Sequence, residues 1–442
     1  MRSTPLELVI LVVVVVVIVM AVKSRRRGKA DRHAEQAPDE AGSEQLAASV
    51  PTFKVVALGL PGSGKTVLLA SMFHELDHLA PGRSFYLDAT PEQRVALNGV
   101  YRTVSDTRRE WPRSTRIAEL TDYVFNCVAL DDGGARHHLL DVVYLDYAGE
   151  LLEHAPETGR SSFQELQGHI RSAQALLGLL DGQRILQLLR GEPAGHDYLQ
   201  FELRSLLGLL QSARAPVQLV ITKWDLVRGF GEPPDADDEL RLDRVIGALM
   251  AFDHVRGLVY SSPNQLVRLI PVSAVGRGFA ELREDGSVVK RSGGTVRPMN
   301  VDVPLCAVVP DLFRQVERTI DDETRRKLEE SLRRSLKGRS MRVRAVDVLS
   351  GLGTFLNGSA GRALGAVFAG MMPGVVGVAA TEVTRMFAEW AATPYERVAD
   401  ARELHEAEFG RYRAARERVL VQFDTAVRRL EAIMPNSELG RR

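Results

Sequence analysis

The amino-acid sequence predicts an α/β protein: a sheet with flanking helices, one apolar helix ahead of it and a mainly helical region behind it. Three observations carry that prediction. Fifteen consecutive apolar residues run from Leu8 to Val22. From Phe53 onward, short apolar runs of strand length each end in a polar or glycine-rich segment. After about residue 311, apolar side chains recur at helical spacing. The chain has 442 residues, 45% of them hydrophobic, which is enough to bury a sizeable core and excludes collagen-like and low-complexity classes. With 57 basic and 57 acidic side chains, the formal net charge is zero, so the usual electrostatic argument for a nucleic-acid-binding protein is missing. Cys127 and Cys306 stand far apart and form no CxxC pair, which removes a disulfide framework and a Cys-rich metal site.

The first element is the apolar run. At 1.5 Å per helical residue it covers about 22 Å, and the addition of Ser3 to Glu7 brings it near the length that spans a bilayer. Lys23, Arg25, Arg26, Arg27 and Lys29 follow at once, against Arg2 in front. Basic flanks stay on the cytoplasmic side, so residues 1–27 are expected to form a single-pass anchor. It would meet the membrane through residues 6–22, with the bulk of the chain cytoplasmic. A cleavable signal peptide would need a basic region before the run and a small-residue cleavage site after it, and neither is present. Residues 28–51 are polar and poor in large apolar side chains, and read as a flexible linker.

The chemistry starts after the linker. Phe53 to Leu58 is a strand-type run, followed by Gly59-Leu60-Pro61-Gly62-Ser63-Gly64-Lys65-Thr66 and the helical pattern VLLASMFHEL. This is G-x-x-x-x-G-K-[ST] in its required strand–loop–helix context. Glycines let the backbone wrap phosphates, and the amides opening the helix point at them. Lys65 would lie against the β- and γ-phosphates, and the Thr66 hydroxyl would hold Mg²⁺. A P-loop NTPase sheet is the expected core.

Two further runs, Tyr123 to Leu130 and His138 to Tyr147, flank Asp131-Asp132-Gly133-Gly134, a good hairpin turn. The second ends in Asp146-Tyr147-Ala148-Gly149. Asp146 stands where a carboxylate is needed for the Mg²⁺ shell, and Gly149 could bring its N–H to the γ-phosphate. Val217 to Ile221 ends in Thr222-Lys223-Trp224-Asp225, and Val267 to Val272 ends in Ser273-Ala274.

These four segments together resemble the motifs of P-loop GTPases of the translation-factor and Ras-like class. The resemblance covers residues 52–280, roughly half of the chain. LGLPGSGKTVLLASMF, DYAGE and VITKWD are also similar to large bacterial GTPases of conflict systems, including the double-GTPase group. In layout, an anchor ahead of a GTPase is similar to the β subunit of the signal-recognition-particle receptor. The resemblance implies GTP or GDP with Mg²⁺ as ligands, and hydrolysis of GTP to GDP and phosphate. It implies that Asp225 accepts from guanine N1–H and the exocyclic amine, that Lys223 covers one face of the base, and that the Ala274 amide donates to O6. Thr222 and Ser273 complete the two guanine-reading motifs.

Departures from the family pattern carry their own expectations. Between Thr66 and Asp146 lie 79 residues, including a helical segment near Pro91 to Thr107, so an insertion precedes the switch. Thr115 is chosen as the switch threonine that serves metal and γ-phosphate, with Thr103, Thr107 and Thr121 as rivals. Glu150 occupies the place of the water-orienting glutamine; an ionised carboxylate accepts but cannot donate, which implies slow intrinsic hydrolysis. An ATPase is the alternative within the enzyme class.

Residues 281–442 are expected to form a helical C-terminal region. It opens with a hairpin at about 279 to 298, turning at Glu284-Asp285-Gly286, and continues with a helix from about Asp311 to Arg339. Ala363 to Thr381 holds no charge, and it is small-residue-rich, with Gly361-x-x-x-Gly365 and Gly370-x-x-x-Gly374. A buried or membrane-inserting helical hairpin is favoured there over a true span. The last helix, about Thr393 to Met434, places Tyr412, Val419, Phe423, Val427, Leu430 and Met434 on one stripe, expected to pack on the protein's own core. The function expected is a membrane-anchored, guanine-nucleotide-controlled conformational switch. Its alternative is a module in which nucleotide sets self-association or membrane remodelling. A protein effector fits either reading.

Overall fold

The computed structural model describes residues 50–112, 121–147, 160–228, 237–261, 264–319 and 404–440. The expected anchor at residues 8–22, nearly all of the linker and the Gly/Ala-rich stretch 363–381 lie outside the described residues. Among the described residues no helix is long and apolar enough to cross a membrane. The chain divides into two compact units. One comprises Phe53–Gln315 with Arg418–Arg442, and the other Met1–Thr52 with Val316–Glu417. The border expected at residue 280 falls inside the first unit, which takes in the hairpin and the last 25 residues as well.

That unit is built on eight strands. In chain order these are β1 (Thr52–Gly59), β2 (Phe85–Asp88), β3 (Thr121–Leu130), β4 (Arg136–Asp146), β5 (Ala175–Asp181), β6 (Val217–Thr222), β7 (Val267–Pro271) and, after a separate pair, the closing two-residue strand Glu438–Leu439. The separate pair is β8 (Ala280–Leu282) and β9 (Val288–Lys290), which form a two-stranded sheet of their own; the closing strand is β10. The sheet order is β10-β7-β6-β5-β1-β4-β3-β2. Strands β1, β5, β6 and β7 run parallel, while β2, β3 and β4 pair antiparallel and β10 joins β7 antiparallel.

The parallel strands are buried on both faces, so they read as unbroken apolar runs and not as alternation. Helices cover them: α1 (Lys65–Leu76), α2 (Pro91–Ser105), α3 (Arg160–Ser172), α4 (Gly182–Leu189), α5 (Arg204–Ser212), α6 (Asp238–Leu249) and α7 (Asp253–Tyr260). Local chemistry sets their starts. Thr90 caps α2 by accepting from the Gln93 amide at 3.3 Å, with Pro91 preset for the first turn. Asp181 caps α4 by accepting from the Gln183 amide at 2.9 Å.

Helix α8 (Val308–Thr319) and helix α9 (Leu404–Ile433) follow. The second half of α9 belongs to the sheet unit, where Val419, Phe423, Val427, Leu430 and Met434 are all buried, as the stripe suggested. Phe423 meets Phe85 of β2 edge-on at 5.1 Å. Beyond α9, Glu438 of β10 pairs with Arg268 of β7. Arg268 is fully buried and chelates Asp311 of α8, with Nε to the two carboxylate oxygens at 2.9 and 3.0 Å and Nη2 at 2.6 Å. Its Nη1 donates to Glu431 at 2.8 Å, and Arg314 donates to Glu431 and Glu438. Buried charges persist only when paired this fully. The cluster therefore fastens α8, α9 and β10 to the edge of the parallel sheet.

Candidate functional site

β1 leads straight into the glycine-rich loop. Gly62 and Gly64 have φ of +76° and +84°, a left-handed backbone that costs other residues energy. Gly59 is needed for space: a Cβ there would stand 2.7 Å from Ser63 Oγ and 2.9 Å from Leu179 Cβ. The loop closes on itself through Ser63 N–H to the Leu60 carbonyl at 3.2 Å, and α1 then starts at Lys65 with no side-chain cap. Gly64, Lys65 and Thr66, at the helix opening, line a cavity, the position an anion site requires. Lys65 is buried, and its ammonium donates to the Gly59 carbonyl at 2.7 Å.

Asp146 ends β4, on the strand beside β1. Its Oδ2 accepts from Thr66 Oγ1 at 3.5 Å, and its Oδ1 is buried with no partner. Burial pushes its pKa up to about 6, against the opposing pull of Lys65 and the Thr66 hydroxyl. An orphaned buried carboxylate oxygen beside a hydroxyl is a donor set suited to a hard cation. Among the described residues no group of three or more His, Cys, Asp or Glu could hold a metal ion. Mg²⁺ needs no such cage, because it keeps waters and takes phosphate oxygens alongside one or two protein ligands. Thr66 and Asp146 fit it on those terms.

An eight-stranded α/β sheet with flanking helices and this loop fits a P-loop NTPase fold.

The other walls of the site come from β6 and β7. Thr222 donates to the Ser63 carbonyl at 2.7 Å and approaches the Leu180 carbonyl at 3.2 Å, so the end of β6 props the P-loop from below. Lys223 adopts φ of +50°, and its Nζ pairs with Asp181 Oδ2 at 2.8 Å. Trp224 is fully buried and its N–H bonds the Val272 carbonyl at 3.1 Å, which pins the TKWD segment to β7. Asp225 accepts from Ser273 Oγ at 2.6 Å, and that hydroxyl accepts from the Gly276 amide at 2.7 Å. Burial raises the Asp225 pKa, opposed by the Ser273 bond and by Lys223. The Ala274 carbonyl is held by Ser71 Oγ of α1 at 2.8 Å.

A cavity of about 370 Å³ gathers these residues, with Gly62, Gly64, Lys65 and Thr66 from the phosphate loop and Thr222, Lys223, Asp225 and Ala274 from the ends of β6 and β7. It opens at the carboxyl ends of the parallel strands, where the strand order reverses about β1 and ligands bind in open α/β sheets. Of the residues expected from sequence, Gly59, Ser63 and Ser273 stand directly behind this lining, and Asp146 contacts it through Thr66. Thr115, Gly149 and Glu150 lie outside the described residues. Sequence reasoning missed Asp181, Gln183, Trp111, Ala280 and Val288. The last four line the cavity, and Asp181 positions Lys223. Asp181 had a usable signal, since it ends the buried run ALLGLLD one residue before a helix.

No protein-family model matches the chain, and no curated protein matches it. Solved structures do. Sup35 complexed with GDP is 13% identical over 53% of this chain and 40% of its own, with a TM-score of 0.27. The Saccharomyces cerevisiae Ski7 GTPase-like domain, bound to GDP and inorganic phosphate, is 11% identical over 57% and 48%, with a TM-score of 0.32. The signal recognition particle receptor SRb–GTP/SRX complex from Chaetomium thermophilum is 17% identical over 52% and 93%, with a TM-score of 0.27. The matches cover less than half of the first two of these chains. These neighbours are P-loop proteins of the translation-factor and GTPase-like class, the class that the motifs resemble.

Proposed function

We propose that this protein binds GTP or GDP with Mg²⁺, hydrolyses GTP slowly, and acts as a conformational switch held at a membrane by residues 6–22. One observation carries the nucleotide part: Lys65, Thr66, Asp225 and Ala274, drawn from three strand ends, line one cavity, and Asp146 is hydrogen-bonded to Thr66 at its edge. The P-loop amides and Lys65 bind and orient phosphate oxygens. Thr66 and Asp146 hold the cation, which when bound neutralises charge on the phosphates. Asp225, oriented by Ser273, accepts from the two donors on guanine's Watson–Crick edge, an arrangement adenine cannot match. Lys223, fixed by Asp181, flattens one wall against the base. The anchor rests on the apolar run Leu8 to Val22 and the basic cluster after it, which also set the bulk of the chain on the cytoplasmic side.

Slow turnover follows from Glu150, which in its ionised form cannot donate to an attacking water while accepting from it. The test is direct. Nucleotide released by denaturing the purified full-length protein is identified by mass, and GTP turnover is then measured without added partners. Bound guanine nucleotide with turnover well under one per second is the expected result. An adenine nucleotide, or turnover of order one per second or faster, refutes the corresponding part of the proposal.

A further inference from the structure

The β8–β9 hairpin belongs to neither the main sheet nor its helical layers, yet Ala280 and Val288 line the same cavity as Asp225 and Ala274. A two-stranded ribbon of three residues per strand has too little buried surface to hold its own position in water. Its placement must come from outside contacts, and these fall into two groups.

The first group joins the hairpin to α2 and the loop after it. Trp111 Nε1–H donates to the Val288 carbonyl at 2.8 Å. Lys290 lies over the Trp111 ring at 4.8 Å and caps the carbonyls of Thr103 and Asp106. Phe279, fully buried, meets Trp111 edge-on at 6.2 Å and packs with Val104 and Val275. The second group is at the tip, on the opposite side of the cavity. There Gln183 Nε2, at the start of α4, donates to the Gly286 carbonyl at 2.7 Å. The base of the hairpin is rigid: Gly276 stands so close to Arg297 that a Cβ would come within 1.9 Å of its carbonyl oxygen. The ribbon thus reaches from a fixed root, over an apolar wall of Trp111, Ala280 and Val288, to a single-bond latch on α4.

We propose that this hairpin forms the wall of the site facing a bound guanosine, and that Gln183 and Trp111 latch it as a gate through which nucleotide enters and leaves. The proposal rests on the guanine-nucleotide reading above. Gln183 and Trp111 act by positioning the gate. The Gln183 backbone N–H also shares the Asp181 carboxylate with Lys223, the N–H on Oδ1 and the ammonium on Oδ2, so the residue carrying the latch and the base wall are both held by one side chain.

A gate has a kinetic signature that damage to the site lacks. Weakening a latch that is closed both with and without ligand raises the open fraction equally in the two states. Entry and exit then accelerate together, by more than any change in the equilibrium affinity. Gln183→Met removes the donor without adding charge beside the phosphate loop. Trp111→Phe keeps a ring in the aromatic cluster and removes the indole N–H. Loss of one neutral hydrogen bond predicts a rise on the order of 5-fold in each variant.

Association and dissociation rates of tritiated GDP are measured by filter binding on the full-length protein and both variants. Acceleration of both rates, each by more than any change in Kd, supports the gate. Rates within 2-fold of the parent in both variants overturn the gate while leaving the guanine reading intact. A weakened Kd without faster association also overturns it, assigning these residues to the site's structure. Failure of the parent protein to bind GDP at all overturns both readings.

Discussion

Replacing Asp225 with asparagine reverses the hydrogen-bond demand at the base end of the cavity, and the structure fixes which way the new amide must point. Ser273 Oγ accepts from the Gly276 amide at 2.7 Å and sends its own hydrogen to Asp225 Oδ1 at 2.6 Å. The asparagine oxygen therefore keeps the Ser273 bond, and the NH₂ group turns toward the ligand. Guanine offers two donors on that edge, so two hydrogen bonds to a charged acceptor are lost. At about 1.5–3 kcal/mol each, GDP affinity should fall by roughly 10² to 10⁴. Xanthine carries a carbonyl at the same position and accepts from the new NH₂, so xanthosine diphosphate should gain. The assay is competition of unlabelled GDP and xanthosine diphosphate against a labelled tracer, on the parent and on Asp225→Asn. A loss of GDP affinity smaller than 10-fold, or no gain for the xanthine nucleotide, refutes the role given to Asp225.

Other consequences can be checked as directly. Lys65→Ala should weaken triphosphate binding by at least about 100-fold through loss of its charged hydrogen bonds, and unchanged affinity would remove the P-loop assignment. Asp146 has a folded pKa near 6, above the ordinary value of 3.8. The folded state therefore holds the proton longer, and stability falls as pH rises from about 4 through 6. Asp146→Asn should accordingly stabilise the nucleotide- and Mg²⁺-free protein by roughly 3 kcal/mol at pH 8 and flatten its pH profile in denaturant titrations. Equal stability of parent and variant at pH 8 counts against burial of a charged Asp146. Arg268→Leu should cost about 3–5 kcal/mol by stranding Asp311, and adding Asp311→Leu should recover much of it. Gly182→Ala places a Cβ 2.1 Å from the Thr222 carbonyl and should raise the Kd for GDP by displacing the TKWD segment; an unaltered Kd argues that the loop can yield there.

The sequence spoke clearly wherever a local rule decides structure. The P-loop, the Asp131–Gly134 turn, the strand ends at Asp146 and Thr222, and the hairpin turning at Asp285-Gly286 all depend on residues within one short window. The helix expected near Pro91 to Thr107 is α2, Pro91–Ser105. Strand β5 escaped notice because Gly178 interrupts its apolar run, and that glycine is there for a distant reason: a Cβ would meet Leu210 of α5 at 2.5 Å. Strands β2 and β10 span four and two residues, too short for any periodicity to show. Trp111, Gln183 and Val288 have no motif at all. They meet at the cavity only because the segment after β7 folds back to bring Val288 to Trp111 and Gly286 to Gln183, a long-range event that local propensity does not encode. The partners of Arg268 are equally invisible, since Asp311, Glu431 and Glu438 come from segments up to 170 residues away.

The docking of β10 beside β7 makes the chain a closed excursion. It leaves the sheet unit after Gln315, re-enters it at Arg418, and is stitched to the same edge at both ends. A single crossing of a bilayer between those points would leave the sheet on one side and its own edge strand on the other. The same geometry makes a mechanical linkage. The elements in which the chain leaves and re-enters, α8 and α9, both pair with Arg268 of β7, a strand whose end lies two residues from Ser273. Whatever pulls on that loop pulls on the segment that aligns Asp225.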